Sequence, residues 1–339
     1  MNYPKLLKKG DTIGICAPSS GAAGLDKQVD NAISNVRALG YDVIETASVR
    51  RKVKCVSADR ETRAAEFMSL YENPKIAAII PPWGGEFLMD MLPHLDFERI
   101  AGLPAKWVCG YSDMSTMNFV LTVCSDIATV HGSNLMNMGF AKIHETDLRL
   151  FDMLSNDSCE QKSWDAWGRH TSFVDLTVET YTLDQPSLWK SLQGNQQVSF
   201  TGMMIGGCMD TICKLIGTPF APVASFLEKY KQSGFIWALE SCEMSAGDIY
   251  RTLWQMRECG WFQYANGIII GRLAGYKDTQ DFTLVDALEQ GLGELEIPVI
   301  YDADIGHVPP QIQIMNGALG KVMFADGKAV IGQRRIENC

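Results

Sequence analysis

Residues 106–118, K-W-V-C-G-Y-S-D-M-S-T-M-N, decide how the rest of the chain reads. The apolar run Trp107-Val108-Cys109 meets Gly110-Tyr111 and then Ser112-Asp113, after which Met114, Met117, Val120 and Leu121 recur at helical spacing. That spacing predicts a buried strand, a tight turn carrying Ser112, and a helix that begins at once. Such a turn lifts a hydroxyl clear of a sheet and points the N–H groups of the helix start at whatever the hydroxyl attacks. A serine before a helix is also a plain N-cap. On these residues alone both readings stand.

Upstream the same unit repeats. Thr12 to Ala17 is a short apolar run closed by Pro18-Ser19-Ser20-Gly21, followed by Val29, Ile33, Val36 and Leu39 at helical spacing and a stop at Gly40. Tyr41 to Ile44 reads as a strand, and Ser57 as the cap of a helix running to Tyr71 before Pro74. Ile76-Ala77-Ala78-Ile79-Ile80 is apolar throughout, as expected of a strand covered by helices on both faces. It stops at Pro81-Pro82-Trp83-Gly84-Gly85-Glu86, which opens a helix toward Leu92. Strand and helix alternate over short connections, so residues 1–140 read as an N-terminal α/β domain with a parallel sheet. Residues 141–198 lose the alternation, and we read them as a linker and a partly mobile, Trp-bearing loop region. Its Trp164, Trp167 and Trp189 are satellite core or a ligand-facing platform. Residues 199–339 resume with the strand Phe235 to Leu239 delivering Glu240, and with Pro298 to Tyr301 running toward Gly306-His307. Asp281 is placed to cap the helix around Leu284, and the C-terminus reads as a hairpin turned at Asp326-Gly327. The fold class expected is α/β in two domains, the C-terminal one α/β or a swivelling β-rich domain.

Composition narrows the function classes. The 339 residues are 46% hydrophobic and 21% charged, ordinary for a soluble protein, and no apolar run approaches the ~20 residues that span a bilayer. The N-terminus lacks the apolar core of a signal peptide, and the ten cysteines are scattered rather than spaced as a framework. A cytoplasmic protein with reduced thiols is expected. Thirty basic against forty acidic residues, a net charge of −10, argue against nucleic acid. The short basic run Arg50-Arg51-Lys52-Val53-Lys54 reads as a solvated loop. No zinc spacing and no nucleotide-binding glycine pattern occurs, so neither metal nor cofactor is expected.

Ser112, Glu240 and His307 each follow an apolar strand, and ligands gather outside the carboxyl ends of strands in open α/β sheets. A hydroxyl, an imidazole and a carboxylate are the parts of a nucleophilic triad, here on a turn that lacks the second glycine of G-x-S-x-G. The N–H of Asp113 and one from the Gly84-Gly85 turn would complete an oxyanion hole. Glu243 competes with Glu240, and His131, which also ends a strand, competes with His307. Residue chemistry leaves the base open.

Taken together, C-G-Y-S-D-M, W-A-L-E and D-I-G-H-V-P-P resemble the L,D-carboxypeptidase family of serine peptidases, which includes the microcin C immunity peptidases. The opening K-K-G-D-T-I-G-I-C-A-P-S-S, the P-P-W-G-G-E loop and G-G-C-M-D-T-I-C-K-L-I-G-T-P extend the resemblance over most of the chain. It implies Ser112 as nucleophile, His307 as base, Glu240 as its partner, and the amides of Gly85 and Asp113 as oxyanion hole. It also implies a site at the interface of the two domains and a homodimer. The expected substrate is a small peptide-like molecule: a murein tetrapeptide in peptidoglycan recycling, or a peptidyl- or aminoacyl-adenylate in the microcin-immunity branch. Trp83, Glu86, Trp164, Trp167 and Trp189 are candidate substrate residues. Cys208 stands where many members carry Asn. A reading from another class is a cleft that binds a small ligand without turning it over.

Overall fold

A computed structural model describes residues 1–168, 175 and 177–336. The N-terminal sheet is parallel, in the order Asp42–Glu45, Thr12–Ile15, Ile76–Ile79, Trp107–Val108. Asp26–Ala38 and Arg60–Glu72 are helices that bury apolar side chains such as Val29, Val36 and Phe67. The cap of the second is Asp59, whose carboxylate accepts from Thr62 N at 2.7 Å; Ser57 instead donates to the Ala17 carbonyl. Beyond the glycine turn the expected α-helix is a 3₁₀ helix, Leu88–His94, which contains Pro93.

A second sheet has eight strands. Its centre, Gln197–Cys208, Phe235–Glu240, Ala265–Gly271 and Val299–Ala303, is parallel, and its margins are antiparallel. Leu319–Ala325 and Lys328–Arg334 form the predicted hairpin, with Asp326 and Gly327 both at positive φ as a tight primed turn requires. Thr283, in a capping box with Asp286, caps the helix Leu284–Leu292 in place of Asp281. The mixed α/β class is as the sequence predicts.

The middle region departs from the expected linker. Glu145–Ser155 is a helix, Ser158–Lys162 pairs with Lys328–Arg334 at one margin of the large sheet, and Lys190–Ser191 pairs with Val299–Ala303 at the other. This segment is therefore woven into the second sheet.

The two sheets meet at the helix Met114–Ser125. Nearly every residue in it is buried, polar ones included, because it packs on Thr129–His131, Phe97–Gly102 and Leu88–His94 from the early part of the chain and on Gln197–Cys208 of the second sheet. Thr129–His131 pairs antiparallel with Ile314–Asn316, a second tie between the early and late parts of the chain. Both ties bring the carboxyl ends of strands from the two sheets together. Among the described residues no helix is long and apolar enough to cross a membrane.

Candidate active site

Ser112 sits on the turn between Trp107–Val108 and Met114–Ser125 with φ +65°. A non-glycine residue in this region costs of order 1–3 kcal/mol, and such strain persists where surrounding contacts over-determine it. Those contacts are visible. Ser112 O accepts from Ser115 N at 2.9 Å, starting the helix. The buried Asp113 carboxylate accepts from Ser19 Oγ at 2.5 Å and Leu88 N at 2.8 Å, tying the turn to two other loops. Burial raises the Asp113 pKa, against the opposing pull of those two hydrogen bonds. Gly84 lies against the serine: a Cβ there would fall 2.5 Å from Ser112 Cβ and 2.7 Å from its Oγ. Only glycine fits that position.

Glu240 ends Phe235–Glu240 and is fully buried beside Cys208 in register. Its Oε2 lies 2.7 Å from His307 Nδ1. A carboxylate only accepts, so Nδ1 donates, and Nε2 of the neutral ring carries the free lone pair. Nε2 is buried and has no hydrogen-bond partner. Burial disfavours the imidazolium, but the Glu240 charge and hydrogen bond and the neighbouring Cys242 thiol outweigh it and raise the His307 pKa. Burial likewise works against the Glu240 carboxylate, and His307, with a smaller contribution from His131, lowers its pKa overall. Gly306 makes this approach possible, since it has φ +99° and a Cβ there would meet Glu240 Oε2 at 2.5 Å. The Tyr111 ring stands edge-on to His307 with centroids 5.0 Å apart.

The histidine loop is anchored by a buried hub that the sequence did not reveal. Asp304 accepts from Arg272 Nη1 at 2.8 Å, Ser187 Oγ at 2.7 Å, Trp189 Nε1 at 3.0 Å and the Trp164 backbone N at 2.8 Å. This is where the tryptophans go. Trp189 is buried in the hub, Trp167 lies under Arg272, and Trp164 under Arg149. None of the three lines a cavity that contains Ser112.

His131 takes a different place from His307. Its Nε2 is 3.8 Å from the other Glu240 oxygen, its Nδ1 is 3.1 Å from Ser115 Oγ, and it lines neither cavity. Burial lowers its pKa to about 4, so it is neutral at physiological pH. Glu243 lines the larger cavity. Its backbone N donates to Asp210 Oδ1 at 3.1 Å, so Asp210 steadies the loop after Glu240. Cys208, Glu240 and His307 bring ligand atoms within 4.8 Å of one another, the donor count of a catalytic zinc site. In this structure the carboxylate and imidazole are engaged with each other, and the thiol donates to Asp210 Oδ2 at 3.2 Å.

Ser112 and Gly85 line two cavities at once. The larger, about 1000 Å³, is lined by Glu86, Asp113, Asp210, Glu243 and Asp248, and by Lys214 and Arg251. Burial, followed by the charges of Glu243, Asp113 and Asp210, raises the Glu86 pKa. The smaller, about 280 Å³, includes His307, Trp83 and Lys52. A hydroxyl, an imidazole with a carboxylate behind it, and a glycine turn thus converge on one cleft, the components of acyl transfer.

Known proteins resemble this chain along most of its length. Residues 13–132 match the family model of the LD-carboxypeptidase N-terminal domain, and residues 201–322 match that of the LD-carboxypeptidase C-terminal domain. A Bacillus subtilis (strain 168) protein named a probable murein peptide carboxypeptidase is 24% identical, over 98% of this chain and 95% of its own length. The microcin C7 self-immunity protein MccF of Escherichia coli is 23% identical, over 92% of this chain and 90% of its own. The crystal structure of an MccF-like protein from Bacillus anthracis str. Ames shares the fold, with a TM-score of 0.84 at 22% identity, covering 99% of this chain and all of that one.

Proposed function

This chain belongs to the LD-carboxypeptidase family, and on that premise we propose that it is a serine carboxypeptidase acting on a small peptide-like substrate, a murein tetrapeptide. The observation that carries the reading is the Glu240–His307 pair, whose imidazole lines the same cavity as the strained Ser112. In the proposed reaction Ser112 Oγ attacks the carbonyl before the C-terminal residue while His307 Nε2 takes its proton. The oxyanion forms against the amides of Gly85 and Asp113. Glu240 holds the ring in the Nδ1–H tautomer and stabilises the imidazolium as it forms. His307 then gives the proton to the departing amine, and water releases the shortened peptide from Ser112 by the same steps in reverse roles.

The second reading, cleavage of a peptidyl- or aminoacyl-adenylate, draws on the roomy larger cavity. The acidic wall of Glu86, Asp210 and Glu243 disfavours a phosphate there and suits an ammonium, which supports the muropeptide. Paired assays on the purified protein separate the two: D-alanine release from a murein tetrapeptide, and hydrolysis of an aminoacyl-adenylate analogue. Binding of both without hydrolysis would instead identify a ligand-binding protein. The nine described cysteines are free, which supports work in the reducing cytoplasm, and a murein tetrapeptide as substrate would place the enzyme in peptidoglycan recycling. We carry the homodimer as part of the proposal, to be checked by sedimentation.

A further inference from the structure

The basic run after Arg50 reads from sequence as a solvated loop, and the structure divides its cations among different tasks. Arg50 is held by Asp26, Asp30 and Glu45 at 3.3, 2.6 and 2.9 Å. Lys52 has no carboxylate partner among the described residues and lines the smaller cavity with Ser112 and His307. Its loop is fixed from below. Ala22 N donates to Val49 O at 2.7 Å, Ser20 Oγ to Cys55 O at 2.8 Å, and Ser57 N to Ser19 O at 2.9 Å.

The two cavities differ in sign. The larger is lined by five carboxylates against two cations; the smaller has Lys52 and no carboxylate in its lining. The smaller also holds Trp83, whose indole N–H is buried without a partner. A donor-rich space free of acceptor charge selects an anion. Chemistry gives the same side. His307 must reach the departing amine, and it lines only the smaller cavity, whose 280 Å³ suits a single residue and not a peptide.

We infer that the smaller cavity receives the C-terminal residue of the substrate, and that Lys52 binds its terminal carboxylate, making the enzyme an exopeptidase by charge. This rests on the carboxypeptidase reading above. Lys52 is a specificity residue: it touches the substrate and takes no part in the proton transfers.

The test compares a tetrapeptide ending in D-alanine with the same peptide ending in D-alanine carboxamide. The wild type should prefer the acid, and Lys52→Ala should lower kcat/KM on the acid by about 10- to 100-fold, mostly in KM, as expected for loss of a charge-assisted hydrogen bond. The acid-to-amide ratio should close toward one, and Lys52→Arg should restore most of it. Calorimetric binding of both peptides to the Ser112→Ala protein reads the same preference without turnover. A wild type that hydrolyses neither peptide, yet binds the acid better through Lys52, overturns the carboxypeptidase reading and keeps the carboxylate site. A ratio unchanged in Lys52→Ala, or one that closes in Lys214→Ala instead, overturns the Lys52 assignment.

Discussion

Replacing Glu240 by Gln removes a charge and almost no volume, so it isolates what the buried carboxylate does for His307. In the wild type the carboxylate raises the imidazole pKa. The base must be neutral to accept the serine proton, so activity is lost as pH falls through that pKa, and the acid limb of kcat/KM should lie above the ordinary value of 6.5. In Glu240→Gln the carboxylate's charge is gone and burial is opposed only by the Cys242 contribution, so the limb should move down. The plateau should drop as well. Two unit charges about 4 Å apart in a partly screened protein site interact by roughly 4 kcal/mol. Losing that stabilisation of the imidazolium corresponds to about 10³ in kcat, at 1.36 kcal/mol per decade. The assay is a pH series of initial D-alanine release for both proteins, with circular dichroism to confirm folding. A limb at the same pH in both, or a plateau within a few-fold of wild type, would refute the account of the pair.

The pair also sets stability against pH. The raised His307 pKa contributes stability that is full below 6.5 and lost as pH rises through the folded value; the lowered Glu240 pKa contributes stability that is full above 4.5 and lost as pH falls through its folded value. The difference in unfolding free energy between wild type and Glu240→Gln should therefore be greatest between pH 4.5 and 6.5, which urea titrations at several pH values would check. Gly306→Ala places a methyl against Glu240 Oε2 at φ +99° and should cost about 1–3 kcal/mol of stability along with most of the activity; thermal melts indistinguishable from wild type would contradict it. Asp304→Ala leaves Arg272 with Asp302 as its carboxylate partner but strips the buried Ser187 hydroxyl and Trp189 N–H of their acceptor, and should destabilise by about 1–3 kcal/mol by denaturant unfolding.

Much of this was legible because the parallel strands are buried on both faces. Ile76–Ile79 and Phe235–Glu240 show as unbroken apolar runs, and the residue that follows or closes each run falls at the end of a sheet. That rule singles out Ser112, Glu240 and His307 as candidates, together with His131, and the family resemblance is what favours His307. Pattern reading missed Ser158–Lys162, because a strand at the margin of a sheet exposes most of its side chains and carries no apolar period. The tryptophans stay open between satellite core and ligand platform on sequence, since nothing local reveals Asp304, more than a hundred residues downstream of Trp189, as the acceptor of its N–H. Lys52 looked solvated for a related reason: its charge has no carboxylate partner among the described residues, and only the folding of its loop over Ser19 and Ser20 brings it to the cleft. Between His131 and His307 the residues alone offered no physical choice; of the two, His307 lines a cavity with Ser112 and His131 is fully buried, which favours His307 in the proposal.

The central claim is that Ser112 is the nucleophile of a carboxypeptidase. The most direct measurement is D-alanine release from a murein tetrapeptide by wild type and Ser112→Ala side by side, with peptide binding measured on both. The account predicts steady release by the wild type, a fall of at least about 10⁴-fold in kcat for the variant, and binding retained. Release at comparable rates by the two proteins would contradict it.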